Sequence, residues 1–183
     1  VRNHSSLNKK ETEITDLIID IGAVSKEDAE RAAAPGDPVI FDTDHRELLN
    51  DRLCARGLDN RLGGYIIMEA ARKAKEKGCT CGIYAAATVG EELTKHGASW
   101  CAARIAPTLA VVVDVTYTSD YEGTRAIENG EILLGGGPVF LQNSFSHKML
   151  VERLKKAAQD LEISFQWENG CGRTCTDADA IHV

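Results

Sequence analysis

Cys81-Gly82-Ile83-Tyr84-Ala85-Ala86-Ala87-Thr88-Val89 and Leu109-Ala110-Val111-Val112-Val113-Asp114-Val115 are two weakly polar to apolar runs in a chain of 183 residues. Runs of this length without polar alternation are predicted strands covered on both faces. Between them, Gly97 to Ile105 reads as a helix stopped near Pro107. A strand, a helix and a second buried strand form the pattern of a parallel sheet flanked by helices. The expected fold class is therefore α/β, with a mixed, largely parallel sheet.

Upstream, Leu62, Ile66, Ile67, Ala70, Ala71 and Ala74 fall on one face of a predicted helix over residues 61 to 77. Gly78 is its predicted C′ residue, and Lys73, Lys75 and Lys77 sit favourably near its C-terminal dipole. Downstream, Leu150, Leu154, Ala157, Ala158 and Leu161 align on a helix over about 147 to 161, and Ser164 to Trp167 resumes a strand. Thr176-Asp177-Ala178-Asp179 looks like a further helix start. The opening third differs. Leu17 to Gly22 and Pro38 to Phe41 read as short strands around a helix started by Ser25-Lys26-Glu27-Asp28 and ended near Pro35-Gly36. The expected organisation is a small β-rich subdomain over residues 1–52, followed by an α/β domain over 53–183.

Composition narrows the function classes. With 43% hydrophobic and 27% charged residues the chain is an ordinary globular protein. Its longest apolar run, Leu109 to Val113, is far too short to span a bilayer. A net charge of −7 argues against nucleic acid or an anionic membrane as the main partner. The polar start Val1-Arg2-Asn3-His4 has no secretory signal pattern, so the six cysteines are expected reduced and the protein cytoplasmic. Cys79/Cys81 and Cys171/Cys175 lack the paired spacing of a structural zinc site.

The chemistry lies in acidic residues placed where elements begin or end. Asp59, in Arg56-Gly57-Leu58-Asp59-Asn60-Arg61, precedes a helix; its plainest role is an N-cap, but it also faces the carboxyl edge where open α/β sheets place their sites. Glu91 and Glu92 follow directly on a predicted strand. As a helix first turn they would be solvated; coming off a buried strand, one can ligate a metal while the other reaches a water. Asp114 interrupts an apolar strand, where an unpaired carboxylate is costly and something must compensate. Together these four look like the carboxylate half of a two-metal hydrolase site, which needs hard oxygen ligands and one further carboxylate to activate water. Gly135-Gly136-Gly137-Pro138 lacks the Lys-Ser/Thr of a phosphate loop and reads as a tight turn. Asp177 and Asp179 look first like N-terminal helix acids, with a role in holding ligands or substrate secondary. His96 and His147 lie on helix flanks, and His4, His45 and His182 have no partner at metal-binding spacing.

In order along nearly the whole chain, Leu58-Asp59-Asn60-Arg61-Leu62-Gly63, Thr88-Val89-Gly90-Glu91-Glu92, Val113-Asp114-Val115-Thr116, Gly135-Gly136-Gly137-Pro138 and Thr176-Asp177-Ala178 resemble the dinuclear aminopeptidases of the tetrahedral and glutamyl aminopeptidase type. The resemblance implies a metal-dependent aminopeptidase that removes N-terminal residues from peptides through a water bridging two divalent ions, zinc or cobalt. It implies that Asp59 bridges the metals, that Glu92 binds one and Asp114 the other, and that Glu91 is the general base. It also implies a homo-oligomer, built through the subdomain at residues 1–52. Members of this family are longer, with one histidine ligand per metal in segments flanking these blocks. Neither His4 nor His182 matches those positions, so the chain reads as a fragment lacking both ends. Cys175 stands where the family has glycine, and Gly90 where it has a longer polar residue. A catalytically inactive, oligomer-forming homologue is the alternative. Endoglucanase activity, a label some members carry, is disfavoured because these carboxylates do not resemble a glycosidase acid and nucleophile pair.

Overall fold

The computed structural model describes residues 13–124, 126–170 and 172–181. The chain divides into two compact units, Val1–Thr43 and Asp44–Val183. In the first, a 3₁₀ turn (Ile14–Asp16) precedes α1 (Lys26–Glu30). The predicted cap is present: Ser25 Oγ accepts from Asp28 N at 3.1 Å, and Asp28 Oδ2 accepts from Val24 N at 3.2 Å. The strands expected at 17–22 and 38–41 do not pair with anything among the described residues.

The second unit opens with an antiparallel hairpin, β1 (Arg46–Leu48) and β2 (Arg52–Cys54), turned by Asn50 and Asp51 at positive φ. These residue types tolerate the left-handed region better than most. There follow α2 (Leu58–Glu76), α3 (His96–Ile105), α4 (Ala126–Asn129), β3 (Val139–Gln142), α5 (Lys148–Asp160), β4 (Gln166–Asn169) and α6 (Ala178–Ile181). Gly78 takes φ 74°, and Cys79 N→Ala74 O and Gly78 N→Lys75 O, both 3.0 Å, complete the α2 stop that its C′ position predicts.

Strands β3 and β4 pair in parallel, Val139 opposite Gln166 through Gln142 opposite Asn169, and α5 connects them. This is the crossover that parallel strands require, and it makes the fold α/β. Phe140 and Trp167, opposite each other in register, stack with centroids 5.7 Å apart, and Phe165 closes the cluster 5.3 Å from Phe140. Such aromatic pairs are worth about 0.5–1.5 kcal/mol each beyond burial. The Gly135–Gly137 turn is tight, as expected. Gln166 locks it by accepting from Leu133 N and donating to Leu133 O and Gly137 O, at 2.7, 3.1 and 3.1 Å.

The runs Cys81 to Val89 and Leu109 to Val115, predicted to be strands, join no ladder among the described residues. Apolar continuity identifies a segment suited to a buried strand, but a strand exists only where another segment satisfies its N–H and C=O groups. Here Tyr84 and Val111 remain 70% and 54% exposed. The second segment is tied instead by polar groups just past it: Thr116 Oγ1 donates to Glu168 Oε2 on β4 at 2.7 Å, and Ser119 N donates to Ile132 O at 2.7 Å. The first is held by α3. Ala98 is fully buried, and a Cβ on Gly97 would lie 2.4 Å from Val89 O and 2.6 Å from Val89 N.

That contact makes a prediction whose sign discriminates. Gly97→Ala in an unconstrained helix would stabilise by up to about 1 kcal/mol. Against the Val89 backbone it is expected to destabilise by about 1–3 kcal/mol, read as a lower thermal midpoint; an unchanged or higher midpoint would contradict this packing.

Candidate active site

The start of α2 decides what Asp59 does. Asp59 (ψ 107°) and Asn60 (ψ 48°) are non-helical, so regular helix begins after them. Asn60 performs the capping: its Oδ1 accepts from Gly63 N at 2.8 Å. Its Nδ2 donates to Val113 O, also at 2.8 Å, fastening the helix start to the residue before Asp114. A Cβ on buried Gly63 would lie 2.2 Å from Asn60 Oδ1 and 2.8 Å from Val113 O, so this junction needs glycine. The N-cap role that the sequence allows Asp59 therefore falls one residue later, leaving the Asp59 carboxylate exposed and uncommitted to the helix.

Asp114 stands next to this tether, part-buried, with Oδ1 accepting from Val115 N at 2.9 Å. Burial holds its carboxyl above the ordinary Asp value of 3.8. The Val115 amide opposes that shift, and the nearby charges of Asp59, Glu91 and Asp177 add to it. Three acids from distant parts of the chain thus share the surroundings of a fourth. Asp177, read from sequence as a helix-start acid, is one of them. Thr88 Oγ1 donates to its Oδ2, joining the segment before Glu91 to the start of α6. Its Oδ1 is buried without a hydrogen-bond partner among the described residues. The sequence allows Asp177 a role at the site only as secondary to that of a helix-start acid, and the contact with Thr88, 89 residues away, ties it to the segment before Glu91.

Glu91 and Glu92 open a turn in which Gly90 O accepts from Thr94 N at 3.0 Å and from Lys95 N at 2.7 Å. The fold-back brings Lys95 Nζ to 3.3 Å from Glu91 Oε1, an ion pair without good hydrogen-bond alignment, and to 3.6 Å from Asp179 Oδ2. Burial would lower the Lys95 ammonium, but the Glu91 and Asp179 carboxylates outweigh it and hold it above its ordinary value. Burial would raise Asp179; Thr174 Oγ1 and N, both at 2.7 Å, then Lys95 and Cys175 N, hold it below the usual carboxylate range. Cys175 adopts φ 57°, a left-handed position where glycine is at ease, which accounts for the glycine the resemblance expects there. An open cleft of about 400 Å³ beside the turn is lined by Glu91, Glu92, Lys95, Arg173 and Cys175, among others.

The donor set fits divalent cations. Asp59, Glu91, Asp114 and Asp177 are hard oxygen donors in one electrostatic field, and among the described residues the buried Glu91 Oε1 and Asp177 Oδ1 accept no hydrogen bond. Glu92 lines the cleft with Glu91, and none of Asp59, Asp114 and Asp177 is part of that lining. No three His, Cys, Asp or Glu side chains among the described residues converge on a single point at ligand distance. His96 and His45 are exposed, engaged with Thr94 and Asp44, while His4 and His182 lie outside the described residues.

Residues 1–183 match the M42 glutamyl aminopeptidase family, and the chain belongs to it. A lysyl aminopeptidase of Pyrococcus furiosus is 30% identical over 173 residues, 91% of this chain and 47% of the relative. The crystal structure of a TET aminopeptidase from a marine sediment Thaumarchaeota archaeon superposes with a TM-score of 0.81 at 31% identity, covering 95% of this chain and 50% of that one. PhTET1-12s, a dodecamer in its asymmetric unit, gives 0.65 at 26% identity, over 90% and 50%. The chain spans about half the length of the curated relative and solved structures it matches.

The raised Asp114 carboxyl has a consequence for stability. The folded state holds a proton there at pH values where the unfolded chain has released it, so stability is lost as pH rises from 3.8 through the folded value. Asp114→Asn is therefore expected to raise the thermal midpoint of the metal-free protein at pH 7, with the gain shrinking toward pH 3. A variant no more stable at pH 7 would contradict the crowding of charge around Asp114.

Proposed function

We infer that this chain carries the carboxylate half of a metal-dependent aminopeptidase site that removes N-terminal residues from peptides. The observation supporting this most strongly is that the charges of Asp59, Glu91 and Asp177 all act on a part-buried Asp114, with Glu92 next to Glu91 in the lining of an open cleft. Asp59, Glu92 and Asp114 would hold two divalent ions, zinc or cobalt, with Asp59 shared between them. Those ions, when bound, supply Lewis-acid polarisation of the scissile carbonyl and a lower pKa for the attacking water.

Glu91 is the general base. It lies at the mouth of the cleft, part-buried, and its carboxylate takes the proton from the attacking water and returns it to the leaving amine. Adjacent glutamates divide this work: Glu92 is exposed on the cleft and ligates, while Glu91 turns inward beside Lys95. Residues 53–183 form the catalytic portion. Residues 1–52 serve homo-oligomerisation, in keeping with the dodecameric PhTET1-12s. Among the described residues no helix is long and apolar enough to cross a membrane, and the partners are peptide substrates and further copies of the chain.

Glu91→Gln keeps the size and shape of the side chain but removes its charge and cannot accept the proton. The variant is expected to lower kcat on short peptides by about 10²–10⁴-fold, with metal content by elemental analysis unchanged. Retained activity would remove Glu91 from this role.

A further inference from the structure

We propose that Lys95, itself anchored by Asp179, is the positioning residue that sets the carboxylate plane of Glu91. It does so by holding Oε1 and leaving the second oxygen to face the reacting water. This rests on Glu91 being the general base.

The geometry is built from both ends. Lys95 is drawn back by its own amide, which donates to Gly90 O at 2.7 Å across the turn containing Glu91. Its backbone adopts φ 54°, a conformation a non-glycine residue takes only when its surroundings compel it. The ammonium is then placed 3.3 Å from Glu91 Oε1 and 3.6 Å from Asp179 Oδ2, with only 22% of the Lys95 side chain exposed. Asp179 is the fixed point. Its side chain is 7% exposed, and three donors hold its carboxylate: Thr174 N and Oγ1 at 2.7 Å and Cys175 N at 3.1 Å.

Solvent access supports the same assignment. Glu91 Oε1 is buried, yet the Glu91 side chain keeps 28% exposure, so the end turned toward Lys95 is the closed one. A carboxylate in a field of like charges swings away from them unless a cation retains it. Lys95 supplies that cation from within the chain, where the Asp114 carboxylate would otherwise repel Glu91. The ligands themselves are untouched by Lys95, so its effect falls on the orientation of the base.

The test uses the metal-loaded protein with a short peptide substrate and compares Lys95→Met, Lys95→Arg, Asp179→Asn and the double variant Lys95→Met/Asp179→Asn. Lys95→Met is expected to lower kcat about ten- to hundred-fold, the scale of a misplaced catalytic group, with KM within about twofold and metal content unchanged. Lys95→Arg, which keeps the cation, recovers most of kcat. Asp179→Asn lowers kcat less than Lys95→Met and adds nothing further in the double variant, because its effect passes through the ammonium. Crystals of metal-free Lys95→Met show the Glu91 carboxylate rotated from its position here. An unchanged kcat in Lys95→Met, or additive losses in the double variant, overturns the proposal while leaving Glu91 as base. Full activity in Glu91→Gln overturns both. If Lys95→Met fails to fold, Asp179→Asn and Lys95→Arg decide: wild-type kcat in Asp179→Asn, or a hundred-fold loss in Lys95→Arg, is contrary to the proposal.

Discussion

Like charges brought close, and held there by bonds made elsewhere, are the constraint on which this molecule turns. The charges of Asp59, Glu91 and Asp177 all act on Asp114, and the segments that carry them are fastened by bonds made elsewhere. Asn60 fastens the start of α2 to Val113, so Asp59 and Asp114 cannot separate without breaking a helix cap. Thr88 does the same for Asp177 and the segment leading to Glu91. The arrangement opposes its own stability, a cost that functional sites commonly carry. Scaffolding amides and hydroxyls make it tolerable.

Close backbone approach is the second requirement, and glycine meets it at two places. Gly63 lets Val113 O come within reach of Asn60, and Gly97 lets α3 lie against Val89. Neither glycine touches a charged group in the site. Both set how near the segments bearing Asp59, Glu91 and Asp114 can come, which links ordinary packing to the electrostatics above it.

What could be read from residues alone follows the range of the interactions. Helices α2, α3 and α5 were legible because an apolar stripe, a cap and a stop signal are all local, and Gly78 ends α2 where its position predicts. The runs Cys81 to Val89 and Leu109 to Val115 misled because strand pairing depends on a partner that periodicity does not name. Asp59, Glu91, Glu92 and Asp114 stood out as acids at the ends of elements. Asp177 ranked behind them because it resembles any helix-start acid, and Lys95 gave no signal because it resembles any surface lysine. Their places come from Thr88 and from Asp179, both distant in sequence. The capping role moved from Asp59 to Asn60 for a smaller reason, since helix boundaries are ambiguous by a residue until side-chain geometry is seen.

The most direct measurement is anomalous diffraction at the zinc edge from crystals of the protein grown with zinc. The account predicts density between Asp59 and Asp114 with Glu92 completing the group, and with Glu91 close by but not ligating. Anomalous density confined to the cysteines or surface histidines, with these carboxylates left apart, would contradict it.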